Sequence, residues 1–418
     1  MLEFTANFSL NLFERKTDLY IDGHAWRSYA DGMRDFDFVF KSGKHALRAV
    51  GMVTDGMLAA EIHSGGDVQE YSFPIGDSVQ LSFGMDAPNI DLLTLEEGGE
   101  VYIDTFDPVR MAKGKARVRR EGQEEIEISG RSVEATVITT TVSNMSTKAW
   151  VNEDGEVLRA ETPFGFMLEK ITQTEAYAPL PVQQKADMIQ GLLVEAKGEP
   201  LKEGAVELVV KLSGIEEAFY PPDGDFQQRT EDGYRIQQPE LIAYSAVEEQ
   251  DTHHLGSDVL IATEHPAIQE QAWAIVGDAT DPWERSMKIY TWVYETIEKV
   301  PVISIPSALE VLRAKEGDCN EHTVLFVALA RAVDVPAQVA IGLVWSDELG
   351  GFGYHAWPEV QMAEGWVPMD PTLGQVYADA THIKLLNGSI DQWPRLIPYL
   401  GQLEIEVVSI RMPEEGSS

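Results

Sequence analysis

The stretch Gly317-Asp318-Cys319-Asn320-Glu321-His322 carries the single cysteine of a 418-residue chain and runs directly into an apolar segment, 324–330, that reads as a helix. One cysteine can form neither an intramolecular disulfide nor a multi-thiolate metal site. At a helix start a thiol has another use. The unpaired N–H groups and partial positive charge of the first turn favour thiolate over thiol, which predicts a lowered pKa and makes Cys319 a candidate nucleophile. The competing reading is a small buried hydrophobe, the commoner fate of a free cysteine.

Two segments downstream bear on that choice. Tyr354-His355-Ala356-Trp357-Pro358-Glu359-Val360 reads as a short strand carrying a histidine, and Gly365-Trp366-Val367-Pro368-Met369-Asp370-Pro371-Thr372 as a second strand ending in an acid. Adjacent strands at this spacing bring His355 and Asp370 together over a helix that presents Cys319. A nucleophilic thiol needs such a set: an imidazole to take its proton and a carboxylate to hold the imidazole in the right tautomer. Taken singly, His355 also reads as a hydrogen-bonded strand histidine, Asp370 as a turn former before Pro371, and Cys319 as filler at a helix start. The three together favour the catalytic reading.

Four spaced blocks extend the pattern: Gly317-Asp318-Cys319; the helix 324–331 followed by Val335-Pro336-Ala337; the His355-Ala356-Trp357-Pro358-Glu359 strand; and Gly365-Trp366-Val367 through Asp370-Pro371-Thr372. In this order they resemble the bacterial transglutaminase-like superfamily. The resemblance spans roughly 255–410 and continues into Ala378-Asp379-Ala380-Thr381-His382, familiar from exported bacterial members. It implies a papain-like core in which Cys319 attacks a carboxamide or peptide carbonyl, His355 serves as general base and then acid, and Asp370 orients the imidazole. The acyl-enzyme then passes to an amine or to water, with no cofactor and no metal. The backbone N–H of Cys319 is the expected oxyanion donor. Some relatives place an oxyanion-hole aromatic near Trp283 or Trp292, but Trp292 falls on the apolar face of a helix and reads as core. Many relatives carry Arg where this chain has Gln338, a departure expected to touch substrate or packing more than the triad.

Composition bounds the rest. The length favours two or three domains, and 44% hydrophobic residues suffice for full cores. A formal charge of −37 argues against nucleic-acid binding, which needs clustered Lys and Arg, and against anionic membranes. Apolar runs are too short to span a bilayer. The alternating start, Leu2-Glu3-Phe4-Thr5-Ala6-Asn7-Phe8, has no basic or h-region, so this chain is expected to show no signal peptide, although a removed leader is compatible with it. The family resemblance favours a periplasmic or secreted location.

Residues 1–178 differ in kind. Alternating runs such as Asp35-Phe36-Asp37-Phe38-Val39-Phe40, with Val101-Tyr102-Ile103-Asp104, Ala135-Thr136-Val137-Ile138 and Lys148-Ala149-Trp150-Val151, indicate an antiparallel β domain. Trp150 to Gly155, then Glu161-Thr162-Pro163-Phe164-Gly165, resemble the curved-sheet domains related to bacterial lipoprotein carriers, which would allow an apolar ligand. The fold class is therefore α+β: an antiparallel β domain at 1–178, a linker and small β segment at 179–250, and a transglutaminase-like catalytic domain at 251–418. His253 and His254, read as strand neighbours, point to opposite faces and do not make a metal site alone. His322 reads either as lining the cleft or, with at least equal weight, as capping or packing, and His382 with Asp379 as able to shape the site, with a surface role as the default. The implied function is thiol-dependent acyl transfer or hydrolysis on a protein or peptide substrate. The alternative is a non-catalytic binding or scaffold protein that keeps the fold, and a metal-dependent hydrolase lacks any HExxH signature.

Overall fold

The structure is a computed structural model that describes residues 2–12, 15–28, 32–76, 79–81, 95–107, 111–128, 130–142, 145–161, 167–171, 193–215, 221–240, 242–247, 252–302, 304–390, 392, 396 and 402–414. It opens with a six-stranded antiparallel meander: β1 (Leu2–Leu12), β2 (Arg15–Ser28), β3 (Gly32–Ser42), β4 (His45–Thr54), β5 (Met57–Ser64) and β6 (Asp67–Pro74). Alternation sets the faces. Along β5 every second residue, Leu58, Ala60 and Ile62, is buried, as a period of two requires. Two-residue turns with positive φ at both positions, Asp55-Gly56 and Gly65-Gly66, join β4 to β5 and β5 to β6 and match the twist of the strands they connect.

A second sheet holds β7 (Gln80–Leu81), β8 (Glu100–Asp107), β9 (Ala112–Ile128), β10 (Arg131–Val142), β11 (Met145–Val151), β12 (Val157–Glu161) and β13 (Met167–Glu169) in sequential order. Each strand expected from alternation in this half lies within one of these. The Asn152-Glu153-Asp154-Gly155 turn is closed by Asn152 Oδ1, which accepts from the backbone of Asp154 and Glu156. Phe36 and Phe73 both pack against Phe106, 5.9 Å between ring centroids in each case, so aromatic contacts bind the two sheets. Residues 179–192, at the start of the expected linker, lie outside the described residues.

Beyond it come β14 (Ala196–Gly198), β15 (Glu207–Ser213), β16 (Gln227–Thr230) and β17 (Gly233–Gln237). These share a sheet with the last strand of the chain, which inserts between β14 and β15. The helical layer holds α1 (Pro266–Val276), α2 (Pro282–Thr296), α3 (Ala308–Ala314) and α4 (Cys319–Ala332). Proline opens both α1 and α2, where its missing N–H costs nothing, and the side chains of His265 and Asp281 cap them. Short strands β18 (Glu298–Lys299) and β19 (Glu316–Gly317) pair just before α4. An antiparallel sheet then follows with β20 (Ala337–Ser346), β21 (Gly351–Met362), β22 (Gly365–Pro368) and β23 (Ile383–Gly388), in the order β22-β21-β20-β23; β24 (Glu404–Arg411) is the returning strand.

Helix α4 is apolar on every side from 324 to 330 because it has neighbours on every side, the other three helices and strands β20 and β21. The expected α+β class, an antiparallel amino-terminal region followed by a core of helices packed on a sheet, is the architecture found. His253 and His254 fall in a 3₁₀ turn, Thr252–Leu255, rather than a strand, and His254 packs edge-on against Trp366 at 4.6 Å. The amino-terminal meander touches this core: the Gly65 N–H donates to the Glu310 side chain and Lys44 pairs with Glu316. Among the described residues no helix is long and apolar enough to cross a membrane.

Candidate active site

Local sequence places Cys319 at the start of α4. Asp318 is the N-cap, its carboxylate accepting the first-turn N–H groups, while the Glu321 carboxylate reaches back to the Asp318 N–H at 2.8 Å. This reciprocal capping box needs Gly317 before it. A Cβ on Gly317 would fall 2.3 Å from Cβ of Glu321, so a larger residue would push the box apart. Glu321 is itself buried and accepts from Ser304 Oγ. The Thr323 hydroxyl donates to the Ala356 carbonyl at 3.0 Å, tying the first turn of α4 to the strand that carries His355.

The Cys319 side chain is 7% exposed. Its sulfur lies 3.8 Å from Asn320 Oδ1 and within reach of the Ala356 backbone N–H. Burial, the largest effect, and the nearby carboxylates of Asp318, Glu321 and Asp370 push the thiol well above its ordinary pKa. This reverses the expectation from the helix end alone, because three convergent acids and loss of water outweigh half a unit of dipole charge. The expected oxyanion donor differs as well. The Cys319 N–H donates to Asp318 Oδ1 at 3.0 Å and is already engaged.

Across from α4, β21 and β22 run antiparallel, with Glu359 opposite Pro368, and Asp370 lies just past the end of β22. His355 Nε2 donates to Asp370 Oδ2 at 2.7 Å, both residues buried. The other carboxylate oxygen, Oδ1, accepts the backbone N–H groups of Thr372 and Leu373 at 2.7 and 2.9 Å. Although burial opposes it, these contacts and two imidazoles hold the Asp370 carboxyl far below the usual range. Tyr290 of α2 faces the same carboxylate; burial first and that charge second raise its phenol.

The second imidazole is His382. Its Nε2 lies 3.1 Å from the same Asp370 oxygen, and its Nδ1 meets the carbonyl and carboxylate oxygens of Asp379 at 3.1 and 3.3 Å. Both residues are buried, which corrects the surface reading of His382 and Asp379. The polar pair sits in a run of small and apolar residues, Ala378 to Ile383, and that embedding was the available signal. Burial disfavours charge on His382, but the two carboxylates prevail and raise its pKa to about 9. The ligand atoms of His355, Asp370 and His382 lie within 4.8 Å of one another, a spacing that could accommodate a metal ion. At 2.7 and 3.1 Å the pairwise contacts are already hydrogen bonds.

The remaining candidates are structural. His322 Nδ1 donates to the Asp318 carbonyl at 2.8 Å, a packing and capping contact. Trp283 is buried between Tyr244 and Tyr377, and Trp292 packs against the core. Gln338 donates to Glu359 at 2.8 Å, and Lys384 supplies that carboxylate with a cation, so position 338 serves packing. Sequence reading missed Tyr354, whose hydroxyl donates to Asn320 Oδ1 at 2.8 Å beside the thiol.

Residues 269–371 match the family model described as the transglutaminase-like superfamily. This stretch is similar to a transglutaminase-like core. It contains Cys319, His355 and Asp370 and ends one residue after the acid, so Asp379 and His382 lie outside it. Among curated proteins no relative matches the chain. Solved structures similar to it include a candidate cysteine protease from Cytophaga hutchinsonii, at 16% identity over 51% of this chain and 81% of that one, with a TM-score of 0.32. The periplasmic domain of TgpA from Pseudomonas aeruginosa is 16% identical over 44% and 73%, TM-score 0.25. A β-barrel-like protein of unknown function from Brucella abortus is 12% identical over 38% and 75%, TM-score 0.27. The transglutaminase-like core is a fold associated with thiol-dependent catalysis.

Proposed function

We infer that the protein is a thiol enzyme that cleaves or transfers acyl groups at carboxamide or peptide bonds of a protein or peptide substrate. The observation that carries this reading is the buried His355–Asp370 hydrogen bond on strands packed against the helix that begins at Cys319. With Nε2–H committed to Asp370, Nδ1 of His355 is the nitrogen left to accept a proton. The Cys319 S–H proton passes to that nitrogen as sulfur bonds to the carbonyl carbon. His355 then returns the proton to the leaving amine as the C–N bond breaks, which leaves a thioester. Water or an amine attacks the thioester, giving its proton to His355, and the thiol is released with that proton. Because the Cys319 N–H is held by Asp318 at rest, oxyanion stabilisation at that N–H requires the substrate to displace the Asp318 carboxylate. A periplasmic or secreted location accompanies this reading on the strength of the family resemblance.

The deep burial of Cys319 favours a second reading, a scaffold or binding protein that retains the fold. Turnover of a peptide library, with and without added amine, separates the two. The catalytic reading expects product with the native chain and none with Cys319→Ala or His355→Ala. Equal turnover by Cys319→Ala would refute it, and added amine reports whether the acyl group is transferred or hydrolysed.

A further inference from the structure

We propose that His382 is a positioning residue: an imidazolium clamped between Asp379 and Asp370 that fixes the triad acid and, through it, His355. The proposal rests on the catalytic reading above for its purpose, but its geometry stands alone. Both ring nitrogens of His382 face acceptors. On the Nδ1 side these are the Asp379 carbonyl and Oδ1, and on the Nε2 side Asp370 Oδ2. A nitrogen without a proton would point its lone pair at a carboxylate or carbonyl oxygen, so each nitrogen carries a proton and the ring carries a charge.

The clamp is anchored at both ends. Asp379 accepts from the Gly204 and Thr381 backbone N–H groups, both at 2.8 Å, from Gln375 Nε2 at 3.0 Å, and from the Thr381 hydroxyl. Gly204 comes from the segment just before β15, so the third sheet holds the far end of the chain of contacts. Asp370 is fixed by its two backbone donors. His382 therefore connects two immobilised carboxylates, and rotation of Asp370 away from His355 would break its bond to His382 as well.

The groups facing His382 are Asp370 just past β22, His355 from β21, Asp379 from its own turn, and the ring of Trp357 at 5.1 Å. Across a cavity of about 20 Å³ lie Asp225 and the Glu359–Lys384 pair, which neutralise each other. The ring centroids of His355 and His382 are 5.6 Å apart. The charge on His382 holds Asp370 ionised and turned towards His355, so the clamp sets the orientation of the base.

Two readouts test this on the full chain. In the first, nitrogen-15 NMR of labelled histidine follows the nine imidazoles from pH 6 to 8, with His382→Gln and Asp379→Asn assigning the resonance. His382 is expected to keep both ring protons throughout that range. Titration with a midpoint near that of a free histidine, or a stoichiometric metal ion on these nitrogens in the purified protein, would overturn the proposal. This readout needs no turnover, so it decides on His382 even if the catalytic reading fails. The second is the split between kcat and KM. His382→Gln should lower kcat by about tenfold or more and leave KM little changed, because the base is misaligned while the cleft is intact. A packing role alone would lower stability and leave kcat of the folded variant unchanged, and that result refutes the positioning of His355.

Discussion

Replacing Lys384 by Met separates a buried charge from its partner and offers a test of how the core is held. Lys384 Nζ lies 2.7 and 2.9 Å from the two oxygens of Glu359, with side-chain exposures of 9% and 4%. Gln338 adds one donor to the same carboxylate. Met keeps the length and the apolar stem of lysine, so packing changes little, yet Glu359 retains a full charge with the Gln338 amide still donating to it. Breaking a buried pair from one side costs about 3–5 kcal/mol, because the desolvation already suffered by the surviving charge is no longer offset. Removing both charges, with Lys384→Met and Glu359→Leu together, should recover most of that loss, since a well-packed apolar pair is often neutral or better. Thermal melting monitored by tryptophan fluorescence should drop by about 6 °C or more for the single variant, at about 2–4 °C per kcal/mol for a domain of 150–250 residues. The double variant should melt near the native chain. A single variant as stable as the native protein, or a double variant no better than the single, would refute the argument that Lys384 is the cation Glu359 needs.

Three further outcomes follow from the site. Iodoacetamide labelling of Cys319, followed by intact mass, should accelerate with pH and still be climbing at pH 9, because burial and three acids favour the thiol; a plateau below pH 7 would show a resting thiolate instead. Stability should depend on pH in two windows with opposite signs. His382, raised from 6.5 to about 9, contributes about 3 kcal/mol that is fully present below pH 6.5 and lost as pH rises towards 9, while Asp370 and Asp379, both lowered, contribute above about pH 4 and lose it on acidification. Melting temperatures should therefore peak between about pH 4 and 6.5, with Asp318 and Glu321, raised by burial, opposing stability as pH rises from about 4; a maximum above pH 8 would contradict these assignments. Gly317→Ala should cost about 1–3 kcal/mol by forcing Glu321 out of the capping box, measured by urea unfolding against Gly350→Ala, a glycine with open space around its Cβ position.

How much of this was legible depends on how local the cause is. Asp318 and Glu321, three apart before an apolar run, encode a helix start in four residues, and the strands bearing His355 and Asp370 announce themselves by composition. Sheet order is another matter: β24 inserts between β14 and β15 across about 200 residues of sequence, and no periodicity in either segment names the other as its partner. In the sequence His382 reads as a residue able to shape the site, with a surface role as the default, and nothing there ties it to Asp370. Its link to Asp370 runs between two irregular segments twelve apart, where neither helix nor strand spacing fixes a direction. The thiol pKa was misread for the same reason. The helix end is written in the sequence next to Cys319, whereas Asp370 arrives at it only by folding.

That misreading changes the chemistry assigned to the site. A resting thiolate at Cys319 would face Asp318, Glu321 and Asp370 in a region from which water is largely excluded, and unscreened repulsion among such charges is strong. The neutral thiol is the state this surrounding selects. Under the catalytic reading, the proton must therefore leave sulfur as the sulfur–carbon bond forms, so that negative charge moves onto the substrate oxygen without resting on Cys319. His355 serves that step only if it is neutral and correctly oriented beforehand. Asp370 supplies the orientation, and His382 beyond it holds Asp370 in place. Under that reading the same acids would discriminate among substrates. A carboxylate near the scissile bond would add a fourth negative charge beside the thiol, whereas a neutral amide or a basic flanking residue would be favoured, in keeping with the chain's overall charge of −37.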